Sequence, residues 1–293
     1  MLPSRVDKVQ FKKRSYFIKR DDLIDPCLSG NKYRKLYSLL QTPNATYTKV
    51  ISYGGGQSNA MYSIACLCEA KGWEFHYYTK TLPQFLKDGV EGNLALAIDK
   101  GMVVHEVDHD LFQDKISALQ ETKEDKRLLI TQGAADKIAK EGVCLLADEI
   151  YEWKKSQNIT KLSLVLPSGT GTTALYLSQA VDKDTQVFTS VLVGDEAYQY
   201  EQWKKLSDGP YPHVFPSKNK HKFAKPYDEY LETYKALYDE TGIEFDLIYA
   251  PKTWMQMYDN IKDNENVMYI HTGGVSGNST MLERYRHKRK ANR

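Results

Sequence analysis

No stretch of this sequence stays apolar long enough to cross a membrane. A helical span needs about 20 apolar residues, whereas apolar runs here, such as KVISY and LSLVLP, have the length of buried strands. An excess of one charge sign is missing too. With 40 Lys and Arg against 38 Asp and Glu, the net charge is +2, so no global field draws the chain to nucleic acid or an anionic membrane. The opening MLPSRVDKVQFKKRSYF has no apolar core followed by a small-residue cleavage site, so no signal peptide and a cytoplasmic location are expected. Cysteine is sparse. Cys66 and Cys68 fall in NAMYSIACLCEAKG, which patterns as a helix, where positions two apart do not share a face. That spacing suits neither a metal nor a disulfide. The four cysteines, Cys27, Cys66, Cys68 and Cys144, are expected to be free thiols in a reducing compartment. Low-complexity tracts and repeats of fixed period are absent as well.

What is present is an ordinary globular composition, 41% hydrophobic and 27% charged over 293 residues. That length supports a real core, and two modest domains or one large domain with a second lobe. One local charge run stands out: from Arg284 onward ERYRHKRKANR carries six Lys and Arg and no acid. It is expected to be a solvated, frayed helix end.

Short apolar, β-branched runs alternate with helical stretches. KVISY (49–53), FHYYT (75–79), MVVHEV, LLIT (128–131), LSLVLP (162–167), QVFTSVLVG, FDLIYA and VMYIHTGG read as strands. Helices are expected from Ala60 to Lys71, over LALAIDKG, after QGAADK and over ALYLSQAV. Strand, glycine loop and helix in succession signal βαβ units, hence a parallel sheet with helices on both faces. The charged DHDLFQDKISALQETKEDKR reads as a surface helix with its loop, and GPYPHVFPSKNKHKF (209–223) as a long irregular connection. GGGQSN, QGAAD, PSGTGTT and HTGG each end a strand and are expected to line one sheet edge, where ligands collect in such folds.

PSGTGTTAL has the parts of an anion site: glycines that turn backbone N–H groups to one point, hydroxyl donors, and a helix N-terminus. It is no nucleotide P-loop, because no lysine follows, and no dinucleotide fingerprint, because Thr172, Thr173 and Ala174 follow Gly169 and Gly171. It is a cup for one phosphate. GGGQSN adds backbone donors with Gln57, Ser58 and Asn59, with Asn59 as an alternative helix cap. In LSGNKYRKLY, Lys32 stands at a loop–helix junction. A phosphate cup, a hydrogen-bonding loop and a lysine beside a glycine are what pyridoxal phosphate (PLP) requires: a Schiff-base amine, a phosphate seat and groups that fix the ring.

IKRDDLIDPCLSGNKYRKL (18–36), SYGGGQSNAM (52–61), SGTGTTA (168–174), FDLIYAPK (245–252) and IHTGG (270–274) occur in the order seen in fold-type II PLP enzymes. The chain resembles the 1-aminocyclopropane-1-carboxylate deaminase and D-cysteine desulfhydrase group across nearly its whole length. The resemblance implies a tryptophan synthase β-like α/β fold of two three-layer αβα lobes with mostly parallel sheets. A large PLP-binding domain would comprise 1–42 and 156–293, with a smaller domain, 43–155, inserted. It implies a homodimer and a small amino-acid substrate. By position Lys32 matches the Schiff-base lysine, which acts as tether and then as base. Asn59 matches the partner of the cofactor's phenolic oxygen, and Ser58 the serine that engages substrate or acts as nucleophile. Ser168, Gly169, Thr170, Gly171, Thr172 and Thr173 match the phosphate loop. Thr272 lies near the expected pyridine nitrogen, and Tyr249 matches an active-site tyrosine. Gln57, Ser58, Asn59 and Tyr249 would contact substrate.

Three departures bear on the activity. Ala250 stands where the deaminase has a glutamate, Phe223 where relatives have a second tyrosine, and Ala60 where the desulfhydrase group often has histidine. A hydroxyl such as Thr272 beside the pyridine nitrogen suits β-elimination of a good leaving group better than opening a cyclopropane. The expectation is therefore a PLP-dependent lyase or deaminase, D-cysteine-like, releasing a 2-oxo acid and ammonia. The alternatives are 1-aminocyclopropane-1-carboxylate deamination, a PLP-binding protein with little turnover, and an unrelated phosphate or nucleotide binder. His271 is expected to be structural. No metal site is expected at His105 and His109, and Trp254 is expected to pack.

Overall fold

In a computed structural model, residues 3–28, 30–87, 92–217, 221–263 and 265–291 are described. The chain opens with an antiparallel hairpin, β1 (Val6–Phe11) and β2 (Arg14–Lys19). It is not legible as an apolar run because charged residues interrupt both strands, VDKVQF and RSYFIK. Two short helices follow, α1 (Asn31–Lys35) and α2 (Tyr37–Gln41). Next come β3 (Lys49–Tyr53), α3 (Asn59–Lys71), β4 (Glu74–Lys80), α4 (Gln84–Lys87) and α5 (Asn93–Asp99). β5 (Met102–Val107), α6 (Phe112–Glu121) and β6 (Arg127–Ile130) complete this part. The chain continues through α7 (Ala139–Ser156), β7 (Leu162–Ser168), α8 (Thr172–Ala180) and β8 (Thr185–Val191). It ends with α9 (Glu196–Lys204), β9 (His213–Val214), α10 (Asp228–Thr241), α11 (Ala250–Asn260), β10 (Val267–Ile270) and α12 (Asn278–Ala291).

The strands form two sheets. The larger has the order β1-β2-β10-β7-β8-β9 and is parallel except at β1; the smaller, β5-β4-β3-β6, is parallel throughout. Parallel strands buried on both faces read as unbroken apolar runs, and every residue of β7 is buried. Its side chains alternate between two cores. Leu162, Leu164 and Leu166 join α7 and α8, while Val165 joins Phe245, Trp254 and Tyr269 on the other face. The smaller sheet lies between α3, with Met61 and Ile64, and α6, with Ile116 and Leu119. Both lobes are thus three-layered, as the resemblance implied.

Several expectations change. FDLIYA is not a strand: Asp246 Oδ1 accepts the N–H groups of Ile248 and Tyr249, at 3.1 and 2.6 Å, and folds the segment into a turn before α11. An apolar run of six cannot show that an aspartate inside it will capture its own backbone. In the 209–223 connection, β9 adds a strand beside β8, and 218–220 lie outside the described residues. The basic tail is, as expected, a largely exposed helix end in α12, although Tyr285 is buried and Lys288 is paired to Asp228 at 2.9 Å. The cysteine expectation is also corrected. Cys66 is bonded to Cys27, with Cα atoms 6.0 Å apart, and Cys68 and Cys144 are free. Local spacing on α3 excluded a bond between Cys66 and Cys68 but said nothing of a loop brought from 39 residues away.

Packing also bears on where the lobes divide. Leu36 and Leu39 enter the smaller core, whereas Val143, Leu146 and Ile150 of α7 enter the larger. We propose that the inserted lobe ends before α7 rather than at 155.

Candidate active site

Lys32 lies on the first turn of α1, behind Gly30 at φ 63°. A side chain on Gly30 would overlap the carbonyl of Thr272. Glycine therefore allows the two loops to pass, and Asn31 N–H donates to Thr272 O at 3.2 Å. The Lys32 ammonium donates to Asn31 Oδ1 at 2.8 Å. Desolvation, partly offset by the Asp246 carboxylate, pushes Lys32 down to about 8. Burial in turn pushes Asp246 up to about 6, against the N–H groups it accepts and the attraction of Lys32. An amine with that pKa is partly neutral near physiological pH, as a nucleophile or proton acceptor must be.

The loop after β7 has the geometry of an anion seat. Gly171 stands at φ 71°, where a side chain would be strained and would also overlap Gln199 and Trp203, so glycine is required on both counts. Those two residues hold the loop's carbonyls: Gln199 Nε2 donates to Thr170 O and Trp203 Nε1 to Gly171 O, each at 3.0 Å. α8 begins with no side-chain cap, so its first N–H groups have no side-chain acceptor. The buried Thr173 hydroxyl has no partner. Thr170 and Thr172 hydroxyls lie 3.1 Å apart. Ser168 is engaged elsewhere: Thr189 donates its proton to Leu166 O, so Ser168 donates to Thr189 at 2.7 Å.

A residue that sequence reading missed completes the seat. Lys35 is buried, and its ammonium donates to Gly133 O at 2.9 Å and Thr170 Oγ1 at 3.1 Å. Burial first, then the nearby Lys32, pushes it well below its usual value. Its position three residues after Lys32, on one helix face, was the available signal. A buried lysine, uncapped helix amides and an orphan hydroxyl fit a phosphate, whose charge would hold that lysine protonated.

From the smaller lobe, the loop after β3 supplies the other side. Ser58, not Asn59, caps α3, accepting Met61 N–H at 3.4 Å. Asn59 is thereby free to accept from Asn93 at 2.6 Å. Both polar atoms of the Gln57 side chain are buried without a partner. The polar loops sit on two sheets rather than one edge, and they meet: Lys35 bridges Gly133 and Thr170, and Asn59 Nδ2 lies 2.6 Å from a carbon built on Gly274.

Tyr249 lies against the phosphate-type loop, its hydroxyl 3.5 Å from a carbon built on Gly169. Burial and Asp246 push that phenol above its usual range. Phe223 packs on its ring at 5.4 Å between centroids and is itself exposed, which sets a hydrocarbon edge beside Tyr249. Buried Ala250 opens α11. His271 is structural: Nδ1 accepts Gly273 N–H at 3.1 Å, Nε2 bonds Glu244 O at 2.8 Å, and burial lowers its pKa. His105 pairs with His76 at 2.9 Å. Trp254 packs, as expected, between Phe11, Tyr16 and Tyr269.

Fold and site define a two-lobed α/β protein in which a half-buried amine of lowered pKa stands one helical turn from a buried lysine bonded into a glycine–threonine loop. No family profile matches the chain. Among curated proteins it is 27% identical to a putative 1-aminocyclopropane-1-carboxylate deaminase of Thermotoga maritima, covering 92% of this chain and 94% of that one. It is 26% identical to the bifunctional, mitochondrial D-cysteine desulfhydrase/1-aminocyclopropane-1-carboxylate deaminase of Arabidopsis thaliana, over 89% and 72% of the two chains. In fold it matches the crystal structure of an ACC deaminase homologue, with TM-score 0.74, 20% identity and coverage of 96% and 94%. A pyridoxal 5′-phosphate-dependent aspartate racemase follows with TM-score 0.63, 14% identity and coverage of 92% and 90%. The resemblance read from the five motifs is thus borne out along the chain, and the fold is that of the fold-type II PLP enzymes.

Proposed function

We propose that this protein is a PLP-dependent lyase that acts on a small amino acid with a β leaving group, of the D-cysteine type, and releases a 2-oxo acid and ammonia. One observation carries the reading. Lys32, lowered to about 8, and the buried Lys35, bonded into an uncapped glycine–threonine loop, stand three residues apart on α1. When bound, PLP supplies an aldehyde for an amine and a conjugated ring that takes up an electron pair. The chain supplies the rest. Lys35, Thr170, Thr172 and Thr173 would hold the phosphate, with the amides of 169–173. Lys32 would hold the aldehyde carbon and then move the proton at the substrate's α-carbon, work typically worth about 10²–10⁴-fold. Asn59 would donate to the phenolic oxygen and Thr272 would face the ring nitrogen. Gln57 and Ser58 would bind the substrate carboxylate, with Tyr249 beside the leaving group.

Phe223 against Tyr249 favours a second reading, a PLP-binding protein with little turnover, because hydrocarbon there donates no proton. A homodimer, a cytoplasmic location and no nucleic-acid or membrane partner belong to the main proposal. The near-neutral charge supports the absence of a nucleic-acid partner, and no helix among the described residues is long and apolar enough to cross a membrane.

The test is direct. Protein incubated with PLP should turn yellow, and borohydride should fix the cofactor on Lys32; Lys32→Ala should take no label. Label on another lysine, or a colourless wild type, overturns the proposal. Oxo acid from D-cysteine or a β-substituted serine supports the lyase, and none from any amino acid tried supports the second reading.

A further inference from the structure

Asn59 presents a problem of direction. The two ends of an amide side chain have nearly the same shape, so its hydrogen-bond partners alone decide which end faces a ligand. An oxygen on the ligand needs the NH₂ end.

The surroundings settle it. Asn93, fully buried at the start of α5, places one end of its amide 3.1 Å from the backbone carbonyl of Gln57 and 2.6 Å from Asn59. A backbone carbonyl only accepts, so this end of Asn93 is NH₂. The atom of Asn59 that meets it must then be Oδ1. The other end of Asn93, Oδ1, accepts the hydroxyl of Ser276 at 2.7 Å, which is consistent with the same direction. The chain of bonds therefore runs one way, from Ser276 to Asn93 to Asn59. It leaves Asn59 Nδ2 on the side of the Gly274 backbone, where a carbon built on Gly274 would lie 2.6 Å away.

We propose that Asn93 is a positioning residue that locks the Asn59 amide with its NH₂ toward the cofactor, and that Ser276 reinforces the lock from the other lobe. This rests on the PLP reading above. Without a donor at Asn93, Asn59 is free to turn over and present an oxygen to the cofactor's phenolic oxygen. The relay spans α3, α5 and the turn at Val275–Gly277, so it is also a contact between lobes.

Asn93→Asp keeps the shape and removes the donor, while Ser276→Ala removes the outer bond alone. Two readouts are followed in the purified protein: PLP affinity, and the visible spectrum of bound PLP across pH. For Asn93→Asp the affinity should fall about 10- to 100-fold, the cost of losing a hydrogen bond to a charged oxygen. The spectral midpoint should move upward, because the ionised phenolic oxygen has lost its donor. Ser276→Ala should move both in the same direction by less. If wild type binds PLP and both variants match it, the relay is overturned while the PLP reading stands. A wild type that takes up no PLP overturns both. Should Asn93→Asp fail to fold, Ser276→Ala decides, and an unchanged spectrum counts against the proposal.

Discussion

At Lys32 burial and a nearby carboxylate act in opposite directions, and burial is the larger. The folded value of about 8 lies below the usual 10.5, so between these pH values the unfolded chain binds more protons than the folded one. Stability contributed by this group therefore rises with pH through that window, and is reduced below about 8, where the folded chain must hold the buried charge. Capture of PLP by the apo-protein needs the neutral amine, so its rate should climb with pH to a midpoint near 8. Stopped-flow absorbance measures it. Asp246→Asn removes the anion that supports the ammonium, and the midpoint should shift downward; an upward shift or none refutes the coupling. Lys32 was legible because its neighbours form a motif. Asp246, Lys35 and Asn93 were not, because each acts through partners far away in sequence. Asn93 in particular lies 34 positions from Asn59 and 183 from Ser276.

The elements are tied where β2, α1 and α7 meet. Arg34, fully buried, bonds Asp21 at 2.8 Å and Glu149 at 2.7 Å, and Lys19 also pairs with Glu149. Burial alone would raise Glu149, but Arg34 and then Lys19 hold it below the usual carboxylate range. Two cations and two carboxylates leave the cluster neutral, which is how buried charge is tolerated. The arginine of GNKYRKL thus anchors the helix that carries Lys32. The Cys27–Cys66 bond ties the loop before that helix to α3. It closes 39 residues, so reduction should cost about 4 kcal/mol in the loop-entropy account, or roughly 6 °C in thermal midpoint. Cys66→Ala should melt at the lower value with or without reductant. A wild-type midpoint indifferent to reductant would show the bond contributes nothing. The strands at 49–53, 75–79 and 162–167 and the helix at 60–71 are legible in the sequence because unbroken apolar runs and glycine loops are local signals. FDLIYA failed because the competing Asp246 turn is equally local but reads the same in composition.

Across the whole molecule the polar loops at the carboxyl ends of β3, β6, β7 and β10 come together, and the proposed ligand would touch both lobes. A ligand at 100 times its Kd adds about 2.7 kcal/mol, so PLP should raise the melting midpoint by roughly 4 °C. Lys32→Ala should keep part of that rise, since the phosphate seat remains. No shift at saturating PLP would argue that the two lobes do not close on one ligand.

The sequence by itself determined the sheet class, the strand-ending polar loops, Lys32 and the phosphate-type loop. Each follows from periodicity or from residues adjacent in the chain. Tertiary structure alone decided that those loops lie on two facing sheets, that Lys35 joins the anion seat, that Asn93 orients Asn59 and that Cys27 meets Cys66. Burial, amide direction and disulfide pairing depend on distances between segments that chain order does not encode.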